Sequence, residues 1–337
     1  MKAVRLHDAR DLRVEAIDPP SAPPSGFVNV EVRAAGICGS DLHNFRTGQW
    51  ISRRPSTAGH EFCGRVTDVG EDVEHLKVGD YVAADSRVYC GTCPACTSGR
   101  SNICEALGFV GEACDGGFAE QVQLPAKLLF KHEPSLAPKV AAMAEPLAVA
   151  LHAVRRLNAT PGEPVLVIGC GTIGGLSGLL LSRLHKGKLL FADTNAERAA
   201  LVARICNGTA ITLDKAAIDT ALHGERLRYA IDATGNTHAI AAGLELLAGG
   251  GALALVGISH GKLDLDPNVL VEREISLVGC HAFASELPEA IALLPKLEPA
   301  LIEFSEVLTS LDEVPEAYQR LLKGQSQKLK TIIEIAD

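Results

Sequence analysis

No stretch of this 337-residue chain is a dense run of Lys or Arg, and its formal net charge is −9. That balance argues against a nucleic acid or an anionic membrane as the main partner. Long apolar runs are missing too. Residues 248–258 are apolar but glycine-broken, far short of the ~18 residues of a membrane span. The opening Met1-Lys2-Ala3-Val4-Arg5-Leu6 lacks the apolar core of an export signal. Neither an internal repeat nor a low-complexity tract is evident. With no export signal, ten cysteines fit thiols or metal ligands in a reducing cytosol better than disulfides, so a cytoplasmic protein is expected.

What is present is ordinary globular material, 47% hydrophobic and 22% charged. At roughly 150 residues per domain, two domains are expected. Up to about Glu133 the chain reads as β-rich, with strands expected over 2–7, 12–16, 27–35, 63–69, 81–85 and 119–124. Val28, Val30 and Val32 alternate with Asn29, Glu31 and Arg33, the period of a half-buried strand. Short strands at this spacing favour a barrel or sandwich. Residues 141–158 read as helix, interrupted at Glu145-Pro146, with Pro146 starting a new helix. From Pro164 apolar strands (165–168, 189–192, 210–213, 227–233, 252–257, 275–279) alternate with helices, including 197–206 and 238–247. This pattern predicts a parallel sheet covered on both faces. Helices over 288–294 and 312–323 and a strand over 330–335 follow, the last rejoining the N-terminal β domain.

Three motifs carry chemistry. The stretch from Gly36 to Gly64 holds Gly36-Ile37-Cys38-Gly39-Ser40-Asp41-Leu42-His43 and Gly59-His60-Glu61-Phe62-Cys63-Gly64. Cys38, His60 and Glu61 supply a thiolate, an imidazole and a carboxylate, three ligand types that a catalytic zinc accepts while keeping one position open. Ser40 and His43 can reach the same site, and a hydroxyl beside an imidazole can pass a proton to solvent. Next, Cys90-Gly91-Thr92-Cys93-Pro94-Ala95-Cys96, with Cys104 a short loop later, has the spacing of a closed four-thiolate structural zinc site. Free or redox-active cysteines are the alternative, but redox pairs usually occur singly. Cys63, Cys114, Cys170 and Cys206 are left to packing.

The third motif is Gly169-Cys170-Gly171-Thr172-Ile173-Gly174, which follows a strand and opens a helix. Gly169 permits the turn, Gly171 the approach of a pyrophosphate, and Gly174 close helix–strand packing. Asp193, about 20 residues on at a strand end, can hold the ribose hydroxyls and would repel a 2′-phosphate, favouring NAD over NADP. Arg198 is a nearby group able to meet that phosphate. Thr172 and Ile173 in the motif, and Thr234, Val256 and Gly257 beyond it, complete the candidate cofactor set. From the bare sequence Glu145 reads as a helix-cap carboxylate.

Together these stretches, with Ala144-Glu145-Pro146-Leu147-Ala148-Val149-Ala150-Leu151-His152-Ala153, resemble the zinc-containing medium-chain dehydrogenase/reductase family over essentially the whole chain. The likeness is to its polyol branch, of the sorbitol and L-idonate 5-dehydrogenase type. The resemblance implies an α/β plus β fold: a GroES-like β-barrel catalytic domain (1–144 and 284–337) and a doubly wound Rossmann domain (145–283). It implies two zinc ions, NAD, a secondary alcohol such as a polyol or sugar acid as substrate, and a homodimer or homotetramer. It also makes Glu145 an active-site carboxylate, binding the catalytic zinc directly or through its water. The proton path it implies runs through Ser40, the nicotinamide ribose and His43. Two departures stand out. Asn44 occupies the place of a usual Tyr, and Ala282 and Phe283 replace an Arg and a Tyr that would hydrogen-bond a polyol. Such losses should change the substrate, and a smaller secondary alcohol or 2,3-diol is the alternative. Trp50 and Phe45 are candidates for pocket lining or for packing. A zinc-free quinone reductase and a non-catalytic nucleotide-binding protein are weighed against this reading; the complete ligand and Ser40/His43 sets argue against both.

Overall fold

The computed structural model describes residues 1–326 and 328–335. The chain divides into two compact units, one formed by Met1–Glu145 with a return segment beginning at Leu287, the other by Pro146–Glu286. These divisions lie one and three residues beyond the expected 144/145 and 283/284.

The first unit is organised on Phe27–Ile37. This strand pairs antiparallel with Glu61–Val69, Gln121–Pro125 and Lys330–Glu334, so the last strand does return to the β-rich unit. The sheet continues through Tyr81–Ala84 and Leu129–Lys131 on one side and Ser305–Leu308 on the other. Lys2–Asp8 lies between Asp11–Ala16 and Ser56–Thr57 in a second sheet. Val28, Val30 and Val32 enter a core shared with Val4, Phe62, Phe118 and Ile333. Asn29 is buried as well, against the expected alternation. Its amide donates to the Ser21 carbonyl and accepts from Gln123, both at 2.9 Å, so burial costs it little.

The second unit is a six-stranded parallel sheet in the order Thr209–Ala210, Leu189–Ala192, Val165–Ile168, Tyr229–Asp232, Ala252–Leu255, Ser276–Gly279. Numbered along the chain this is 3-2-1-4-5-6, the doubly wound dinucleotide-binding order. Val165–Ile168 and Leu189–Ala192 are buried along their whole length, as the central strands of such a sheet must be.

Two helix expectations are corrected. The break expected at Glu145-Pro146 falls at Ala142 and Met143, between Pro138–Ala141 and Ala144–Leu157. Pro146 is then the third helical residue, still in the first turn, where a missing N–H leaves no acceptor unsatisfied. The helix expected over 288–294 runs instead from Leu287 to Phe304, through Pro295 and Pro299. Each interior proline costs about 3 kcal/mol, offset by a buried stripe that includes Leu287, Ile291, Leu294, Leu301 and Phe304. Among the described residues no helix is long and apolar enough to cross a membrane.

Candidate active site and metal centres

Cys38 follows the last residue of Phe27–Ile37 and stands in extended conformation at the start of the helix Gly39–Thr47. Asp41, three residues on, accepts a hydrogen bond from the Cys38 N–H at 2.8 Å and so fixes where the thiol leaves the strand. Glu61 opens the neighbouring strand Glu61–Val69, and His60 immediately precedes it. Ligand atoms of Cys38, His60 and Glu61 all lie within 4.8 Å of one another, with His60 and Glu61 buried. One side of the His60 ring lies 3.4 Å from the Ser40 hydroxyl, and Nδ1 lies 3.6 Å from Asp41. Burial opposes the imidazolium, but Asp41 and then Cys38 outweigh it and hold the His60 pKa well above its usual value. A carboxylate behind a histidine in this way fixes its orientation toward a cation.

Glu61 is held from behind. Lys330, on the last strand, forms a buried ion pair with Glu61 Oε2 and donates to the Ile37 carbonyl at 2.9 Å. Gly36 makes room for this pair: a Cβ there would lie 2.5 Å from Glu61 Oε2 and 2.6 Å from Lys330 Cε. Burial works against the Lys330 charge, yet Glu61 and then Cys38 raise its pKa.

Glu145 stands apart from the tightest ligand trio. It is buried in the first turn of Ala144–Leu157 and accepts from the Ser86 hydroxyl at 2.6 Å. Burial first, then the nearby Glu61 charge, push its pKa up to about 7, so it feels the same electrostatic site. His43 is buried, with Nε2 engaged by Gln49 at 2.9 Å and Thr47 at 3.2 Å, and its ring lies 4.5 Å from that of Trp50. Asn44 accepts from the Trp50 N–H at 3.0 Å, so it closes the loop after the helix. Phe45 belongs to the core, edge-on to Tyr318, and Phe283 is fully buried.

The four cysteines form a separate cluster, with ligand atoms again within 4.8 Å. Pro94 starts the short helix Pro94–Thr97 between them. Cys90 Sγ accepts from the N–H groups of Thr92 and Cys93, both at 3.4 Å, and Cys104 Sγ accepts from those of Cys90 and Ala106. The N–H donors to Cys90 pull its pKa down to about 6, whereas burial pushes Cys96 up to about 12. Four touching thiols cannot all ionise without a cation among them, and N–H donors to sulfur suit thiolates.

In the second unit Gly169 has φ of +91°, and a Cβ there would meet Thr234 Cγ2 at 2.6 Å. Gly171 precedes the helix Thr172–Leu184 and has open space where a side chain would be. Gly174 packs on the Gly169 carbonyl, too close for any Cβ. Asp193 is held by N–H donors from Cys170 at 2.6 Å and Asn195 at 2.7 Å. The Arg198 N–H caps onto Asn195. The N–H groups of Val256 and Gly257 both donate to the Asp232 carbonyl at 3.0 Å, and Thr234 donates to its carboxylate. Thr234, Val256 and Gly257 thus gather around the carboxyl end of the strand that flanks Val165–Ile168, where open sheets of this order bind nucleotides.

Sequence reasoning did not single out Asp41, Ser86 or Lys330 as site residues. Asp41 had a signal in its three-residue spacing from Cys38; the others come from distant loops and strands.

Residues 24–134 match the family model of the alcohol dehydrogenase GroES-like domain, and residues 175–296 that of the zinc-binding dehydrogenase. The chain is 33% identical over 273 residues to the L-galactonate-5-dehydrogenase of Escherichia coli K12, covering 80% of this chain and 78% of that protein. It is 29% identical over 345 residues to the sorbitol dehydrogenase of Bacillus subtilis 168, covering 99% and 97%. A crystal structure of an Escherichia coli CFT073 protein described as a short chain alcohol dehydrogenase, in complex with NADH, superposes with a TM-score of 0.90 at 28% identity over 99% of both chains. With the GroES-like β fold, the Rossmann sheet and these relatives together, the chain belongs to the zinc-containing medium-chain dehydrogenase/reductase family and is an alcohol dehydrogenase of it.

Proposed function

We propose that the chain reversibly oxidises the secondary alcohol of a polyol or sugar acid, with NAD as hydride acceptor. Cys38, His60 and Glu61 are the ligands we assign to a catalytic zinc, with Glu145 as the carboxylate beside them. The four-cysteine lobe is assigned a structural zinc. When bound, the zinc lowers the pKa of the alcohol and NAD takes up the hydride. The side chains do the rest. Ser40 receives the alcohol proton and His43 carries it toward solvent, Asp41 keeps the His60 ring in place, and Lys330 fixes Glu61. Asp193, anchored by two N–H groups, offers a ribose its remaining acceptor capacity and disfavours the 2′-phosphate of NADP. A homodimer or homotetramer is the assembly proposed for the working enzyme.

The observation that carries this reading is the convergence of a thiol, an imidazole and a carboxylate within 4.8 Å, with a hydroxyl on the imidazole. The test is an initial-rate screen with NAD and NADP against polyols, aldonates, simple secondary alcohols and 2,3-diols. NAD-linked turnover of the first two classes is expected. Cys38→Ala should abolish turnover and leave NADH binding, followed by fluorescence, largely intact. Normal turnover by that variant would overturn the ligand assignment, and equal rates with NADP would overturn the role given to Asp193.

A further inference from the structure

Glu112 sits in a loop that two other loops of the same unit hold against the candidate site. Gly111, at a φ of +86°, packs so closely on the residue before His60 that a Cβ would lie 3.1 Å from the Gly59 N–H nitrogen. From the other side, the Ser52 hydroxyl donates to the Glu112 carbonyl at 2.6 Å. Ser52 follows directly on the Trp50 loop, whose ring lies against His43. The Glu112 backbone is thus pinned between the segments that deliver His60 and His43.

Its side chain is half-buried, and its carboxylate has no hydrogen-bond or ion-pair partner among the described residues. The buried carboxylates of the candidate site are engaged within the protein, Asp41 by a backbone N–H, Glu61 by Lys330 and Glu145 by Ser86, whereas the Glu112 oxygens are open to solvent. Burial pushes the Glu112 pKa up to about 7, with the charges of His60 and Asp41 acting on it in opposite directions. A half-buried carboxyl that no protein group engages, pinned beside the segments that deliver His60 and His43, is a place where a donor on an incoming molecule can take the place of water.

We propose that Glu112 is a specificity-determining residue, which accepts a hydrogen bond from a hydroxyl or ammonium group of the substrate and rejects substrates that bring a carboxylate there. This rests on the alcohol dehydrogenase reading above and narrows it, favouring polyols, diols or amino alcohols over sugar acids. A carboxylate can only accept, so it pairs with a donor and repels an anion of similar size. Glutamine keeps the shape, removes the charge and adds two donors.

The experiment compares the zinc-loaded wild type, Glu112→Gln and Glu112→Asp at roughly pH 9, where the carboxyl is ionised. The kcat/KM is measured for a hexitol, a vicinal diol, an amino alcohol and a hexonate. The expected result is that Glu112→Gln shifts the hexonate-to-hexitol ratio by about tenfold or more toward the hexonate, while Glu112→Asp keeps the wild-type order. The hexitol and amino alcohol arms tell a hydroxyl donor from an ammonium. An unchanged ratio in Glu112→Gln, with zinc content and melting temperature as in the wild type, overturns the assignment and leaves the dehydrogenase reading intact. A misfolded Gln variant is replaced by the wild type's own ratio: preference for the hexonate over the hexitol overturns the proposal, and the reverse supports it. Inactivity of the wild type on every alcohol overturns both.

Discussion

Replacing Lys330 with Met tests the architecture behind the candidate zinc site. The two side chains of the Lys330–Glu61 pair are 1% and 2% exposed, so solvent cannot screen what remains when one is removed. Met fills the same volume and leaves Glu61 with a buried, uncompensated charge. The Lys330 bond to the Ile37 carbonyl is lost as well. Breaking a buried pair from one side costs about 3–5 kcal/mol, which in a unit of this size lowers the Tm by roughly 10 °C. The same change at Lys2, whose bridge to Asp312 joins side chains 42% and 59% exposed, should leave the Tm nearly unchanged, because solvent screens that pair. The double variant Glu61→Gln/Lys330→Met, with neither charge left, should recover most of the loss in stability. A zinc ion on Glu61 would itself compensate the carboxylate, so the metal-loaded Lys330→Met protein should be destabilised less than the zinc-stripped one. Scanning calorimetry on both forms reads all of this. An unchanged Tm in both forms, or a double variant as unstable as the single one, would refute the claim that Lys330 is the buried counter-charge of Glu61.

Other expectations address separate parts of the molecule. Cys93→Ser should remove the zinc assigned to the four-cysteine lobe, seen by elemental analysis, and lower the Tm by several degrees, while turnover per remaining zinc changes little. In the second unit Glu286 pairs with His152 at 3.0 Å and accepts from the N–H groups of Ala284 and Ser285. Burial opposes its charge, but His152 and these donors outweigh that and bring its pKa down to about 2 from 4.5. The folded-state pKa lies below the unfolded one, so this contribution is full above the ordinary carboxyl value and fades as pH falls toward about 2. Glu286→Gln should therefore cost about 1–2 kcal/mol near neutrality and nothing at the acid end, giving a flatter acid limb in urea melts taken across pH.

How much of this was legible in the sequence depended on whether the physics was local. The strands Val165–Ile168 and Leu189–Ala192 were read to the residue, because each is a fully apolar run closed by turn formers. The cysteine spacing and the glycine motif are local too, since chain geometry alone brings their atoms together. The helix Gly39–Thr47 was not anticipated: it opens with Gly39 and Ser40, poor helix formers, and is set by the Asp41 bond to Cys38 and by Gly48 in a left-handed C-cap. The helix expected over 288–294 continues through Pro295 and Pro299 to Phe304 because the stability of that continuation lies in buried contacts that override local preference. Asn44 stands where the resemblance expects a Tyr, and its engagement by the Trp50 N–H is a contact that the sequence does not show.

The Lys330–Glu61 pair marks the limit most clearly. Its members are 269 residues apart, and a single lysine in an apolar C-terminal run reads as an edge charge. Register makes its role evident. Gly36 is paired with Glu61 on one side and with Ile332 on the other. In a strand, residues two apart share a face, so Lys330 lies on the face of Ile332, diagonal to Gly36. The absent side chain at Gly36 opens a lane across the central strand, and Lys330 reaches through it to Glu61. A glycine, a glutamate and a lysine that look unrelated along the chain are therefore one device. Gly36→Ala should be expected to disturb Glu61 as much as loss of the lysine does, although alanine carries no charge, because its Cβ would meet Glu61 Oε2 at 2.5 Å and Lys330 Cε at 2.6 Å.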